Sequence, residues 1–349
     1  MHALTFHNLR DIRYTEAPDP AILAPADAIV RVQFTAVCGS DLHIYHGRES
    51  GLDVGTVMGH EFVGEIVETG TAVRRLRKGD RVVSPFTTNC GQCYYCRIGL
   101  TCRCEQGQLY GWVEGGHGLH GAQAEYVRVP LAEATLVPYD AGIDAGQALL
   151  TGDIMATGYF CADQAEVKPE GVYAVVGCGP VGLMAILGAR ARGAERVYAI
   201  DGIDERLAWA QQLGAMPIDF RAASPVEVLR AATQGRGADA VMEAVGSPEA
   251  GLLAYELVRP GGIISTVGVH TSPHFSFSPI DAYNKNLTYK IGRCPARHYM
   301  ERLLHQIGEG QIDLSPFLAR QMSLRDGAEA YARFDRKEPG YLKVLLAVE

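Results

Sequence analysis

Tyr173-Ala174-Val175-Val176-Gly177-Cys178-Gly179-Pro180-Val181-Gly182 is a short apolar run that ends in G-x-G-x-x-G. The spacing predicts a strand over Tyr173–Val176 and a helix over Gly182–Arg192, so the glycines fall where a strand turns into a helix. Gly177 makes the tight turn, Gly179 lets backbone approach a pyrophosphate, and Gly182 lets the helix pack on the strand. Pro180 and Val181 complete the turn at a helix N-terminus, whose free N–H groups suit an anion. The next strand, Arg196–Ile200, is followed at once by Asp201. This acid lies about 20 residues past the motif, where a carboxylate can accept from both hydroxyls of an adenosine ribose.

The texture continues outward from this point. Asp204–Leu213 reads as a second helix, and Ala238–Glu243, Ile263–Val267 and Leu287–Ile291 as further strands. Strand and helix in alternation imply an α/β fold with a doubly wound parallel sheet. The tail is expected to hold a helix, Tyr299–Gly308, and a last strand, Tyr341–Val348. Residues 1–150 read differently. Ala28–Phe34 and Phe62–Glu68 alternate like half-buried strands, and Gly79-Asp80 signals a turn before Arg81-Val82-Val83. This half is predicted to be mostly antiparallel β. A chain of 349 residues accommodates two such domains.

The Asp201 carboxylate would repel a 2′-phosphate, and no Ser-Arg pair follows it, which favours NAD over NADP. Arg206 is the residue that could serve a phosphate instead. The net charge of −8 argues against a nucleic-acid footprint, which needs a basic stripe. No apolar run reaches the ~18 residues of a membrane span. The first residues, Met1 to His7, lack the basic and apolar regions of a secretory signal, so a cytoplasmic address is expected.

Four of the nine cysteines, Cys90, Cys93, Cys96 and Cys104, form C-x2-C-x2-C-x7-C. Four thiolates saturate tetrahedral zinc, which makes a structural site; Cys102 is close enough to replace Cys104. A second group is sparser. Cys38 sits just after one strand and His60 just before another, a thiolate and an imidazole that suit a catalytic zinc with an exchangeable position. Spacing does not choose their third partner.

Gly59-His60-Glu61, Gly64, Gly70 and Val73 resemble the zinc signature of the medium-chain dehydrogenase/reductase superfamily, G-H-E-x2-G-x5-G-x2-V. Cys38–His43 is similar to its first-ligand segment and Cys90–Cys104 to its structural-zinc lobe, so the chain resembles a zinc-containing alcohol dehydrogenase over its whole length. The resemblance implies a GroES-like β-rich catalytic domain, residues 1–152 and 293–349, and a Rossmann domain, 153–292, with the active site in the cleft between them. It implies two zinc ions per subunit, an NAD cofactor, and reversible oxidation of a small alcohol to an aldehyde or ketone. It also implies a homotetramer or dimer, with neither nucleic acid nor membrane as partner.

The third ligand of the family lies shortly before the cofactor domain. Asp153 stands there in place of the cysteine of animal relatives, as in the bacterial branch, and Cys161 is the rejected alternative. Glu61 is expected behind the ligands or as a substitute ligand. Ser40 resembles the hydroxyl that contacts the substrate oxygen, and His43 the outer member of the proton relay. Phe86 resembles a substrate-pocket aromatic. Val245, Val267-Gly268-Val269 and Ile291-Gly292-Arg293 resemble segments around the nicotinamide, and Lys343 a cation near the pyrophosphate. Tyr110–Ala122, rich in Gly and His, either borders the substrate with Trp112 as a lid or is a solvated loop in which His117 and His120 take no part. The resemblance leaves open a polyol dehydrogenase and a formaldehyde dehydrogenase or dismutase. Outside the enzymes, a redox sensor that binds cofactor and zinc is the competing class.

Overall fold

A computed structural model describes residues 1–318 and 320–349. The chain divides into two compact units: Met1–Asp153 with Pro295–Glu349, and Ile154–Cys294. Asp153 is thus the last residue of the first segment, on the same unit as Cys38 and His60.

The second unit is built on six parallel strands. Their order across the sheet is Met216–Asp219, Arg196–Asp201, Val172–Val176, Ala238–Glu243, Val258–Thr266 and Thr288–Ile291. The chain starts in the middle, winds to one edge, returns, and winds to the other. Val172–Val176 is buried throughout, as a strand covered on both faces must be. Its side chains pack with Ile200, Val241 and Ile264 in one core. The winding reverses between Val172–Val176 and Ala238–Glu243, and ligands bind such sheets outside the carboxyl ends of the strands at that point. The helix after the glycine turn begins at Pro180, not at Gly182 as the periodicity predicts. Proline's missing N–H costs nothing in a first turn, and its fixed φ suits one.

The first unit is organised by Ala28–Val37, a ten-residue strand. It pairs antiparallel with Phe62–Thr69, Tyr126–Val129 and Val344–Ala347. Phe62–Thr69 continues to Arg81–Ser84 and then Val137–Pro138. Val30, Val32, Phe62, Ile66, Val82 and Val127 fill one core, and Leu4, Val37, Met58, Tyr331, Val344 and Leu346 another. The register of Ala28–Val37 against Phe62–Thr69 shifts twice, between Ile29 and Val30 and between Val32 and Phe34. Such bulges bend a sheet toward closure. The tail contains a helix that the periodicity did not single out, Gly327–Asp335. Tyr110–Ala122 is not an open loop. Trp112–Glu114 and His117–Leu119 pair in a two-stranded ribbon turned by Gly115 and Gly116. Among the described residues no helix is long and apolar enough to cross a membrane.

Gly64 shows why the signature needs glycine there. A Cβ at this position would lie 2.1 Å from the Arg31 carbonyl oxygen of the neighbouring strand. Backbone cannot yield as a side-chain tip can, so Gly64→Ala is expected to cost about 1–3 kcal/mol or more through strand displacement. Thermal denaturation of the purified variant checks this, and an unchanged midpoint would show slack between the two strands.

Candidate functional site

Strand pairing builds the first cluster. Thr35 lies opposite Phe62 across the antiparallel pair, and the Thr35 hydroxyl donates to the Glu61 carbonyl at 2.7 Å. That register brings the end of one strand, Cys38, to the start of the other, His60-Glu61. Asp153 arrives from the end of helix Ala145–Thr151, whose start is capped by Asp144 accepting from the Gln147 N–H at 3.1 Å. Ligand atoms of Cys38, His60, Glu61 and Asp153 all lie within 4.8 Å of one another. The Asp153 carboxylate is 3.3 Å from Cys38 Sγ and 3.3 Å from His60 Nε2.

A soft thiolate, an imidazole and a carboxylate converging in a buried site form a donor set for zinc. The electrostatics agree. Burial, followed by the charges of Asp153 and Glu61, pushes the Cys38 thiol up to about 11. Burial disfavours a charged His60, yet Asp41 and Asp153 outweigh it and hold the imidazole well above its ordinary value. Burial likewise works against an ionised Asp153, but the hydrogen bond from His60 overcomes it and keeps the carboxyl below its usual range. Without a metal, protons on Cys38 and His60 supply the positive charge the cluster demands. A divalent cation would replace them and release both protons. Glu61 Oε2 is buried with no hydrogen-bond partner among the described residues, a further acceptor aimed into the same space.

Asp41 lies inside the Cys38–His43 segment, and the structure gives it a role. One of its oxygens accepts from the Cys38 N–H at 2.9 Å, and the other lies 3.2 Å from His60 Nδ1. Holding Nδ1–H fixes the tautomer and leaves the Nε2 lone pair free for a metal. The sequence showed an acid three residues past the first ligand, but its burial, at 2% exposed, belongs to the structure.

Around this cluster the other expected residues sort differently. Ser40 Oγ is 3.3 Å from His60 Nε2. His43 has a buried Nδ1 without a hydrogen-bond partner among the described residues. Burial, then Arg48 and His46, lowers its pKa and keeps it neutral. Phe86 presents its ring edge-to-face to His60, with centroids 6.4 Å apart. Lys343 departs from its expected place at a pyrophosphate. Its ammonium is buried, pairs with Glu61 and donates to the Val37 carbonyl oxygen at 3.3 Å, because a buried carboxylate needs a counter-charge. Trp112 is no free lid either: it is half-buried against the core that contains Met58 and Tyr45. His117 is exposed, whereas His120 is not idle, since its Nδ1 accepts from the Val57 N–H at 3.1 Å.

The cysteine lobe forms a second, separate group of Cys90, Cys93, Cys96 and Cys104. Backbone N–H groups already point at its sulfurs: Cys90 N–H to Cys104 at 3.2 Å and Cys93 N–H to Cys90 at 3.3 Å. The Glu105 and Cys96 N–H groups lower the Cys93 thiol to about 6, which favours the thiolate a metal requires. Cys102, the spare donor of the sequence reading, lies on the short turn Thr101–Arg103 outside that group. Cys161 is not a member of the other one; it is buried beside Ser265, with Sγ and Oγ 3.3 Å apart.

In the second unit Gly179 caps the helix Pro180–Ala191. A Cβ on Gly182 would lie 1.8 Å from the Gly177 carbonyl oxygen, so the turn closes only on glycine. Asp201 is 7% exposed. It accepts from the Cys178 N–H at 2.8 Å with one oxygen, and from the Gly202 and Ile203 N–H groups at 2.7 and 3.0 Å with the other. The acid therefore ties the glycine turn to its own strand end before it meets any ligand. Arg206 lies 3.7 Å from it. Val245, Val269 and Arg293 follow the carboxyl ends of three successive strands and are exposed. Val267 and Gly268 are half-buried beneath them.

Two family models match the chain: the alcohol dehydrogenase GroES-like domain over residues 24–139, and the zinc-binding dehydrogenase over residues 180–308. Zinc-type alcohol dehydrogenase B of Aspergillus flavus is 40% identical over 343 residues, covering 96% of this chain and 79% of that protein. A medium chain reductase/dehydrogenase of an Acremonium species is 44% identical over 291 residues, covering 81% of this chain and 98% of that one. Among solved structures, alcohol dehydrogenase TADH from Thermus sp. ATN1 superposes with a TM-score of 0.93 at 40% identity, covering 100% of each chain.

The two donor groups are separable by mutation. Asp153→Ala is expected to cut bound zinc from about two ions per chain to about one, the stoichiometry of one closed and one open site. Metal analysis after dialysis reads this directly. Retention of both ions would remove Asp153 from the donor set.

Proposed function

This chain belongs to the zinc-containing alcohol dehydrogenases of the medium-chain dehydrogenase/reductase superfamily, and we propose that it oxidises its alcohol reversibly with NAD as the hydride acceptor. The observation that carries the choice of NAD is Asp201, a carboxylate at the end of the second strand of the cofactor unit. A 2′-phosphate would bring like charge against it. Arg206, the nearest cation, is committed to that carboxylate at 3.7 Å, and Arg221 pairs with Asp204 and Asp219.

Cys38, His60 and Asp153 would hold the catalytic zinc, and Cys90, Cys93, Cys96 and Cys104 the structural one. When bound, that zinc supplies Lewis-acid polarisation of a substrate oxygen, and the nicotinamide supplies the hydride acceptor. The chain's own residues do the rest. Asp41 fixes His60 in the tautomer that exposes Nε2. The Ser40 hydroxyl, beside that nitrogen, accepts the proton of the alcohol. His43, kept neutral by burial, is a base able to carry the proton outward. Lys343 holds Glu61 by its other oxygen. Phe86 lines the metal group with an apolar edge, which suits a simple alcohol and keeps water out.

A polyol dehydrogenase is the second reading, and Glu61 is the observation in its favour, because its free oxygen offers the cluster a second carboxylate. The presence of Ser40 and His43 in the segment that follows Cys38 argues for an enzyme over a redox sensor, which needs no proton path. We also propose self-association through the cofactor unit, as a dimer or tetramer. Thr288–Ile291 is an edge strand, and Ile291 and Tyr283 leave 50% and 82% of their surface exposed beside it. Unpaired strand edges of this kind are templates for pairing with another copy.

Two measurements test these statements. Absorbance at 340 nm with a panel of alcohols should give a kcat/KM at least about tenfold higher with NAD than with NADP, equivalent to about 1.4 kcal/mol; the reverse preference would overturn the Asp201 argument. Sedimentation should show a dimer or tetramer that Ile291→Lys shifts toward monomer, and a monomeric wild type would dispose of the edge-strand contact.

A further inference from the structure

Glu243 ends the strand Ala238–Glu243 at the point where the winding of the sheet reverses, and it is 0% exposed. Oε1 accepts from the Val245 and Gly246 N–H groups at 2.6 and 2.7 Å. Oε2 lies 3.3 Å from Nε2 of His270. The Glu243 backbone carbonyl accepts from the Val267 and Gly268 N–H groups at 3.0 and 3.2 Å. One residue therefore fastens both segments, Val245-Gly246 and Val267–His270, that follow the strand ends at the ligand-binding edge of the sheet. The two segments touch backbone to backbone. A Cβ on Gly246 would lie 2.3 Å from the Val269 carbonyl oxygen, and one on Gly268 would lie 2.2 Å from the Gly246 nitrogen. Val245 and Val269 leave 47% and 40% of their surface open beside them, an apolar wall for a planar ring.

A buried carboxylate here requires compensation, and His270 is the ion-pair partner the structure provides. The hydrogen bond with Glu243 raises the His270 pKa against the opposing effect of burial. Two other titratable groups face Glu243. The Cys161 thiol comes from helix Ile154–Gln164, and the Tyr289 phenol from strand Thr288–Ile291. Burial pushes the thiol up to about 12 and the phenol upward as well. Both stay uncharged near neutral pH, so among these groups His270 alone changes the charge that Glu243 meets. A nicotinamide ring is cationic when oxidised and neutral when reduced, so it responds to that charge in one redox state only.

We propose that Glu243 and His270 form a positioning pair that sets the preference of the dinucleotide site for the oxidised over the reduced cofactor. With His270 protonated, the pair is neutral and the preference is small. With His270 neutral, the Glu243 carboxylate is left uncompensated and attracts the cationic ring. Since the paired state belongs to low pH, affinity for NAD+ rises as pH rises through the titration of His270, while affinity for NADH stays level. This rests on the dinucleotide reading above.

The test is direct binding to the zinc-loaded protein: calorimetry for NAD+ and quenching of dinucleotide fluorescence for NADH, from about pH 5.5 to about pH 8.5, which spans histidine titration. The expected result is a Kd for NAD+ that falls at least about fivefold over that range, with the NADH Kd constant within about twofold. His270→Gln should flatten the NAD+ profile relative to wild type, so the difference between the two proteins excludes titrations at the metal centre. Glu243→Gln keeps an acceptor for the Val245 and Gly246 N–H groups and should weaken NAD+ selectively, also without pH dependence. Two results would overturn the proposal: a His270→Gln profile that matches wild type, or equal weakening of NAD+ and NADH in Glu243→Gln, which a purely structural role would give. Either leaves the NAD reading intact. A wild type that binds neither cofactor removes both.

Discussion

Cys38, Glu61 and Asp153 bring three acidic groups into a few ångströms of buried protein, and burial does not tolerate uncompensated charge. Two cationic side chains answer that constraint. Lys343 is drawn in from the last segment of the chain to pair with Glu61. His60 is held as a cation by Asp41 and Asp153. The remaining demand is met by a proton on Cys38 or by a metal. Breaking one partner of a buried charged group leaves the others exposed to the full cost of desolvation, so these residues stand or fall together. A site that is this expensive without a cation is pre-organised for one.

The same logic reappears in the cofactor unit at lower intensity. Asp201 and Glu243 are both buried carboxylates at carboxyl ends of parallel strands, and both spend their oxygens first on backbone N–H groups. Asp201 organises the glycine turn, while Glu243 organises the segments after the fourth and fifth strands. Among the described residues Asp201 is ion-paired with Arg206 and Glu243 with His270. An acid that has already shaped its loop is positioned before the ligand arrives, and this lowers the ordering cost of binding.

Much of this was legible in the amino-acid sequence. The glycine turn, the acid after the next strand and the strand-helix alternation announce the parallel sheet, because those features depend on local sterics and period. The four-cysteine lobe was legible for a similar reason, since its donors lie within one short segment. Cys38 and His60 were readable as a pair of donors whose third partner spacing did not choose. What joins them is a strand register, Thr35 opposite Phe62, and two bulges displace that register in a way no hydrophobic alternation reports. The two-stranded ribbon in the Gly- and His-rich stretch and the packing of Trp112 were not legible for the same reason: the partners that fix them include residues distant in sequence.

Lys343 marks the limit most clearly. The family resemblance implied a pyrophosphate partner for it, yet the structure gives it a buried carboxylate. The sequence by itself determined which residues are capable of the chemistry, where the chain changes from antiparallel to parallel β, and why glycine is required at Gly182. Those properties follow from side-chain type, local period and backbone sterics. Only the tertiary structure decided which charges face one another: Asp41 with His60, Lys343 with Glu61, His270 with Glu243. Charge pairing in a protein interior depends on distances and burial that are set by long-range packing, and the linear order of residues carries no record of either.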